Sequence, residues 1–320
     1  MAKNKQVFFR PLSELNVIDN FLFYELSNNE ETNEEFFRIL LSTFLQQEFR
    51  TIRVIPQKVF SGVDTDRHGI RLDVYIEATS EGEKPDATIY DIEAESRAAN
   101  KNELPHRNRF YTGIIDVQHL ASGASYLKMK KLITLTILSY DPFGLGEMWY
   151  EARTMLATHP DYPYDDGIRR IFLYADGRLN KELLRKAGIT NGERIRDMLK
   201  YICRSTKENV TSEEIGRVDA MVERIKLRKE VSKNYMINIF HDQDIRREAI
   251  EEGREEGRAE GRAEGRAEGR AEGRAEGKVT AAAAFVNFGR AHNIPDEEIE
   301  QELIGGMQLT AEQAAQLMRA

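Results

Sequence analysis

The chain carries one cysteine, Cys203, among its 320 residues, so no internal disulfide can form and a fold held by cross-links is excluded. Long apolar runs are also missing. The best candidate, LITLTILSY at 132–140, has the length of a buried strand and falls far short of the roughly 20 residues that cross a bilayer, which excludes a membrane protein of the helical kind. The opening MAKNKQVFFRPLSELN lacks the continuous apolar core and small-residue cleavage site of a secretory signal, and a cytoplasmic location is expected. The six histidines, at 68, 106, 119, 159, 241 and 292, show no HxxxH or Cys/His spacing, which argues against a zinc site. No glycine-rich loop precedes a lysine and Ser/Thr, so no nucleotide cofactor is expected.

What is present begins with a hydrophobic fraction of 41% beside 31% charged residues, enough to bury a real core in one large domain or two smaller ones. Net charge is −8, which opposes a phosphate-rich partner when taken as a sum. The distribution is uneven, however: between Arg97 and Lys131 seven cations face two acids. Directly before that stretch, YDIEAES at 90–96 puts Asp91, Glu93 and Glu95 at alternate positions. On a β-strand all three carboxylates share one face, and that row is either a solvated surface or a metal site.

Spacing places the elements around it. NEEFFRILLSTFLQQEF at 33–49 has Phe37, Leu40, Leu41, Phe44 and Leu45 at helical intervals, with Asn33 as the expected N-cap. IRLDVYIE at 70–77 alternates as a half-buried strand, TSEGEKPD supplies turn residues, and IYDIEAE follows as a second strand. Paired as a hairpin with apolar faces together, the two strands bring Asp73 to the side of Glu93. The segment 104–127 is helical through Phe110, Ile114, Val117 and Leu120, and the apolar strand LITLTIL comes next. Helix, hairpin, helix and strand in that order predict an α/β fold with a mixed sheet. Residues 180–248 read as mostly helical, most clearly VERIKLRKEVSKNYMINIF at 222–240.

From Gly253 to Gly277 glycine recurs at every fourth position, in GREEGRAEGRAEGRAEGRAEGRAEGK. Like charges stand four apart and opposite charges two apart, so a lone helix gains no i,i+4 ion pairs and loses roughly 1 kcal/mol at each glycine. A flexible arm is the favoured expectation, and a self-associating stalk the alternative. The end of the chain reads as a small helical module, with helix starts at Pro295 before acids and at Thr310 with Gln313 three residues on. The expected domains are 1–215, 216–278 for the helical segment and repeat arm, and 279–320.

Cleavage of a phosphodiester with a hard divalent cation needs carboxylates on rigid elements with room for water and phosphate, and Asp73 with Glu93 on adjacent strands meets that need. GIRLDVYIE, YDIEAES, LPHRNRFYTGIID and SYDPFG, taken together, resemble the PD-(D/E)xK nuclease superfamily. More narrowly, the chain resembles the Rpn-type recombination-promoting nucleases, also labelled PD-(D/E)xK family transposases. The likeness extends through KLRKEVSKNYM, the repeat arm and the terminal helices. It implies a restriction-endonuclease-like mixed sheet flanked by helices and a Mg²⁺- or Mn²⁺-dependent DNA endonuclease that hydrolyses by a metal-activated water. Asp73 would be the first metal-holding acid and Glu93 the second. The third motif position, lysine in the general pattern and commonly glutamine in this branch, is Glu95 here. Either Glu95 is an extra ligand or base, or Arg97, Arg107 or Arg109 takes the place of the lysine, or the site has decayed into a nucleic-acid or protein binding module. Arg107, Arg109 and Tyr111 match an R-x-R-x-Y stretch that would face the site and steady the phosphate, unless they serve as salt-bridge partners of the acidic row. A homodimer would suit a double-strand cut.

Overall fold

A computed structural model describes residues 10–60, 70–80, 88–96 and 102–319. The chain divides into two units, Met1–Ile239 and Phe240–Ala320. The first opens with helices α1 (Asn20–Asn28) and α2 (Asn33–Leu45), then strands β1 (Phe49–Pro56), β2 (Val59–Phe60), β3 (Ile70–Arg71), β4 (Val74–Ser80) and β5 (Thr88–Glu95). Helix α3 (Leu104–His119) leads to β6 (Leu132–Leu138), β7 (Trp149–Ala152), β8 (Met155–Leu156), β9 (His159–Pro163) and β10 (Ile168–Tyr174). Helices α4 (Lys181–Lys186), α5 (Gly192–Cys203), α6 (Glu213–Lys226) and α7 (Lys229–Ala291) follow, and α8 (Asp296–Gly305) and α9 (Ala311–Arg319) end the chain.

Six strands form one mixed sheet in the order β1-β4-β5-β6-β10-β7. β1, β4 and β5 are antiparallel, β6 lies parallel to both β5 and β10, and β7 closes the far edge antiparallel. Helix α3 is the crossover between the parallel strands β5 and β6. Because β6 is central and covered on both faces, all of LITLTIL is buried, as a continuous apolar run in a parallel sheet should be. On one face the aromatic stripe of α1 and α2 packs against Val74, Ile76, Ala78, Tyr90, Ile92 and Ala94. Its rings meet edge to face, with the Phe36 and Phe37 centroids 4.9 Å apart. α5 and α6 complete that layer. On the opposite face Ile114 and Ile115 of α3 pack with Tyr75, Ile89 and Leu132.

The expected α/β fold with a mixed sheet is what the chain adopts, with local corrections. α2 stops at Leu45, where Gln46 takes a left-handed φ of 55°, and Phe49 belongs to β1. Thr32, not Asn33, is the N-cap residue, and the Asn33 amide donates to Ser27 O at 3.0 Å instead. The strand expected over 70–77 breaks at Leu72–Asp73, because β3 pairs with β2 while β4 pairs with β1 across Gln57, which has a φ of 46°. In α3 the buried stripe runs through Leu104, Ile114 and Ile115, leaving Phe110 and Val117 exposed. The helix expected over 222–240 is interrupted at Leu227–Arg228, where Ile225 still lies in the first core and Leu227 is exposed. The expected boundary after residue 215 falls inside α6, whose Ile215, Val218 and Val222 belong to the same core, and the first unit runs on to Ile239. Among the described residues no helix is long and apolar enough to cross a membrane.

In the second unit the repeat is helical throughout, part of the 63 residues of α7, in place of the expected flexible arm. Alanine, glutamate and arginine are strong helix formers, and the repeat continues a helix already begun before it, so it bears no nucleation cost. A Cβ added at any of its glycines would meet nothing within 4 Å. Beyond it Ala282 and Val286 pack with Ile299, Leu303, Leu309 and Ala314. Gly289 fits there because a Cβ would lie 2.7 Å from Ile299 Cδ1. The start of α9 is a reciprocal capping box: Gln313 N donates to Thr310 Oγ1 at 3.2 Å, and Thr310 N to Gln313 Oε1 at 3.0 Å.

Two glycines should respond oppositely to alanine. At Gly177 an added Cβ would stand 2.4 Å from the backbone of Glu147 and Met148, so Gly177→Ala should destabilise by at least about 1–3 kcal/mol, seen as a lowered melting temperature by circular dichroism. Gly265→Ala, in open space, should gain up to about 1 kcal/mol of helix stability. An unchanged melting temperature for Gly177→Ala would refute the close approach.

Candidate active site

Asp73 stands at the bend just before β4, and the β4–β5 register, Val74 opposite Ile92, carries on to set Asp73 across from Glu93. The two are tied through backbone as well as by position. Asp73 N donates to Glu93 Oε1 at 3.1 Å, and Ala94 N donates to Asp73 Oδ2 at 3.4 Å. Gln57 N donates to the Asp73 carbonyl at 3.0 Å, which fixes the bend from the β1 side. Asp91, one pleat further back on β5, is 2% exposed. On β6 the residues opposite Asp91 and Glu93 are Thr134 and Thr136, both buried. Asp91 is enclosed, and Asp73, Glu93 and Glu95 are half-buried, so the acidic row is not a solvated face.

Enclosure raises Asp73, Asp91 and Glu93 together. Burial lifts Asp73 above the ordinary carboxylate range against the opposing pull of the Ala94 amide. Burial, then the charges of Asp91 and Asp73, push Glu93 well above it. Burial takes Asp91 up to about 7. Arg107 is the cation that acts on all three, and it lowers each of them. Tyr111 is pushed up by its own burial and then by Glu93, and the Arg107 guanidinium lies 6.0 Å from its ring centroid.

Glu95 closes the row in a different way. One of its oxygens accepts from Arg107 Nη2, and the other accepts from Tyr140 OH at 2.6 Å. The guanidinium of Arg107 is thereby held from α3 over the end of β5, while its Nε is buried with no partner. Tyr140 is followed by a compact loop: Asp141 Oδ1 accepts from Phe143 N and Gly144 N, and Oδ2 from Gly146 N at 2.7 Å.

Of the residues expected at the site, Asp73, Glu93, Glu95, Arg107 and Tyr111 are brought together. Arg109 is not. Two positions beyond Arg107 is a turn of roughly 200° round a helix, and Arg109 is exposed on the outer face of α3. Arg97 lies outside the described residues. Two participants escaped sequence reasoning. Asp91 carried the right signal, the same alternation as Glu93, but no role. Tyr140 stood in the SYDPFG stretch with nothing local to connect it to Glu95, which lies 45 residues away.

Compared with protein-family models, with curated proteins and with solved structures, the chain matches none.

The donor set suits a hard divalent cation. Asp73, Asp91 and Glu93 stand beside the Arg107 guanidinium, which is already paired with Glu95, and Asp91 Oδ1 is buried without a hydrogen-bond partner. Among the described residues no three His, Cys, Asp or Glu form a ready metal group. Mg²⁺ is commonly held by one or two carboxylates with water and substrate phosphate completing its shell, and Asp73 with Glu93 supplies such a pair.

The buried acids make stability pH-dependent. Asp91 is raised in the fold, so its contribution is complete below the unfolded value near 4 and is lost as pH rises through about 7. In metal-free protein, Asp91→Asn should flatten the fall in denaturation midpoint between pH 4 and 7 and add on the order of 1–3 kcal/mol at pH 8. A variant less stable than wild type at pH 8 would contradict an uncompensated charge at Asp91.

Proposed function

We propose that the chain is a metal-dependent DNA endonuclease of the recombination-promoting nuclease type, with a restriction-endonuclease-like core. The observation that carries this reading is the Asp73–Glu93 pair, joined across β4 and β5 inside a largely buried acidic row beside Arg107. The order helix, three-strand meander, crossover helix, parallel strand agrees with the fold that the sequence resemblance implies. Asp73 and Glu93 would hold Mg²⁺ or Mn²⁺, and the bound ion would supply a nucleophilic water at neutral pH and neutralise the phosphate. Arg107 would place positive charge where negative charge develops at the attacked phosphate, the part assigned to lysine in the general motif. Glu95 and Tyr140 act on Arg107 as positioning residues: they keep the guanidinium turned toward the row. Tyr111 walls the site beside it. Two copies of the chain would be needed for a cut through both strands.

A second reading rests on Glu95. Both of its oxygens are occupied and it adds negative charge beside an anionic substrate, as would be tolerable in a fold that binds nucleic acid or protein without cutting.

Incubation with supercoiled plasmid and Mg²⁺ or Mn²⁺ separates the two. The endonuclease should nick and linearise it only with metal, Asp73→Ala and Glu93→Ala should each abolish cleavage, and Arg107→Ala should slow it about 10²–10³-fold. Arg109→Ala should cleave like wild type. No cleavage by folded protein that still binds the plasmid would establish the binding module in place of the enzyme.

A further inference from the structure

The row that carries Asp73 continues along β4. Tyr75 and Glu77 lie on the same face at alternate positions, and where they pass beneath the C-terminal end of α3 the sheet opens into a cavity of about 390 Å³. Its walls include Arg53, Lys58, Phe60, Tyr75, Glu77 and His119. None of these residues takes part in the acidic site.

The cavity is built and positively charged. Glu77 is the one carboxylate among its described wall residues. It is answered by Lys130 Nζ at 3.1 Å, by Arg53 directly across the β1–β4 register at 3.8 Å, and by Tyr75 OH at 3.1 Å. Lys58 adds a third cation, placed 5.5 Å from the Phe60 ring centroid. Two cations, Arg53 and Lys58, thus line the cavity beside one carboxylate that Lys130 also pairs, and the excess outweighs the partial charge of roughly −0.5 at a helix C-terminus. His119 offsets part of that helix charge by donating from Nδ1 to Ile115 O at 2.7 Å, and its Nε2 lies 2.7 Å from Tyr75 OH. Tyr75 and His119 stack at 15° between their planes, which fixes the floor. Excess positive charge over a rigid polar floor fits a phosphate group and does not fit a cation or an apolar ligand.

We propose that this cavity is a second phosphate subsite, which holds the backbone of the same DNA strand that crosses the acidic row. The inference rests on the endonuclease reading. Glu77 is four residues along the chain from Asp73, about 13 Å at ~3.3 Å per residue, a separation that neighbouring phosphates of one strand can bridge. The subsite would therefore fix the register of the strand to one side of the cut, away from the Arg107 contact.

The test is the salt dependence of binding of a fluorescent duplex to the full chain in chelator, where no cutting occurs, for wild type, Arg53→Ala/Lys58→Ala and Arg109→Ala. Each lost phosphate contact reduces the slope of log K against log salt by about 0.9. The double variant should lose about 0.9 units of slope; because Lys58 is half-buried beside Phe60, its melting temperature is measured alongside to show that it is folded. Arg53→Gln/Lys58→Gln should reproduce the loss, which separates charge from packing. Wild-type slope in both double variants would overturn the subsite while leaving the endonuclease reading intact. A wild-type protein that binds no duplex would remove both. A cavity that takes up a mononucleotide in an Arg53- and Lys58-dependent way, with no change in duplex slope, would overturn its placement on the strand's path.

Discussion

Carboxylates closed in between a sheet and a helix are the constraint to which the rest of the first unit answers. Burying one unpaired ionised group costs several kcal/mol in practice, and the group takes up a proton to reduce that cost. Here three stand together beneath α3, and all three are raised. The arrangement holds only if the sheet below is stiff and strongly held. That support comes from the opposite face, where Phe23, Phe36, Phe37 and Phe44 are almost fully buried, each worth about 1.5–3 kcal/mol on transfer from water. It comes also from β6, whose every residue is buried between two parallel neighbours. The apolar layer thus stabilises a costly polar layer a strand's thickness away.

Much of this was legible in the chain, and the parts that were not share a physical cause. A period of two along IYDIEAE names the residues of one face, and a continuous apolar run names a doubly covered strand; both depend on local geometry alone. The capping box at Thr310 and Gln313 is likewise local, and it formed as the spacing implied. What covers the face is a tertiary fact. The alternation could not distinguish a solvated row from an enclosed one, because the difference is made by α3, which crosses over the row only after the chain has left β5. The bend at Asp73 depends on a left-handed Gln57 just past the end of another strand, and nothing near Asp73 encodes it. Arg109 is the opposite case. Helical geometry alone separates it from Arg107 by more than half a turn, and a matched R-x-R-x-Y string obscured what the periodicity already said.

The same distinction bears on the repeat. As an isolated helix its charge rows and glycines are unfavourable, but that holds for a peptide with free ends. Within α7 the repeat extends a helix already formed on the N-terminal side, and the terminal packing of Ala282 and Val286 holds the other end. Nucleation, the costly step, is absent. Propagation through Arg, Ala and Glu then offsets one glycine in four. Open space around each repeat glycine means that no close packing demands glycine there, so composition and not contact explains why this stretch is helical.

Glu95 is the point at which sequence and structure bear most directly on each other. Against the motif that the sequence resembles it places a negative charge where a positive or neutral one is expected, and by itself it would repel a phosphate. Its environment reverses that effect. Arg107 pairs with one oxygen and Tyr140 with the other, so the pair is close to neutral. An arginine has five donors in a fixed fork; one is spent on Glu95, and Nε is left buried without a partner. The remaining N–H groups are held in place by a carboxylate whose two oxygens are both engaged. Under the proposed endonuclease reading, charge that a lysine would supply from the strand would come from Arg107 on the helix, with Glu95 as the clamp. Such an exchange keeps the local charge balance only if Glu95 and Arg107 are read as one unit, which is why the departure at Glu95 says little about activity until the position of Arg107 is known.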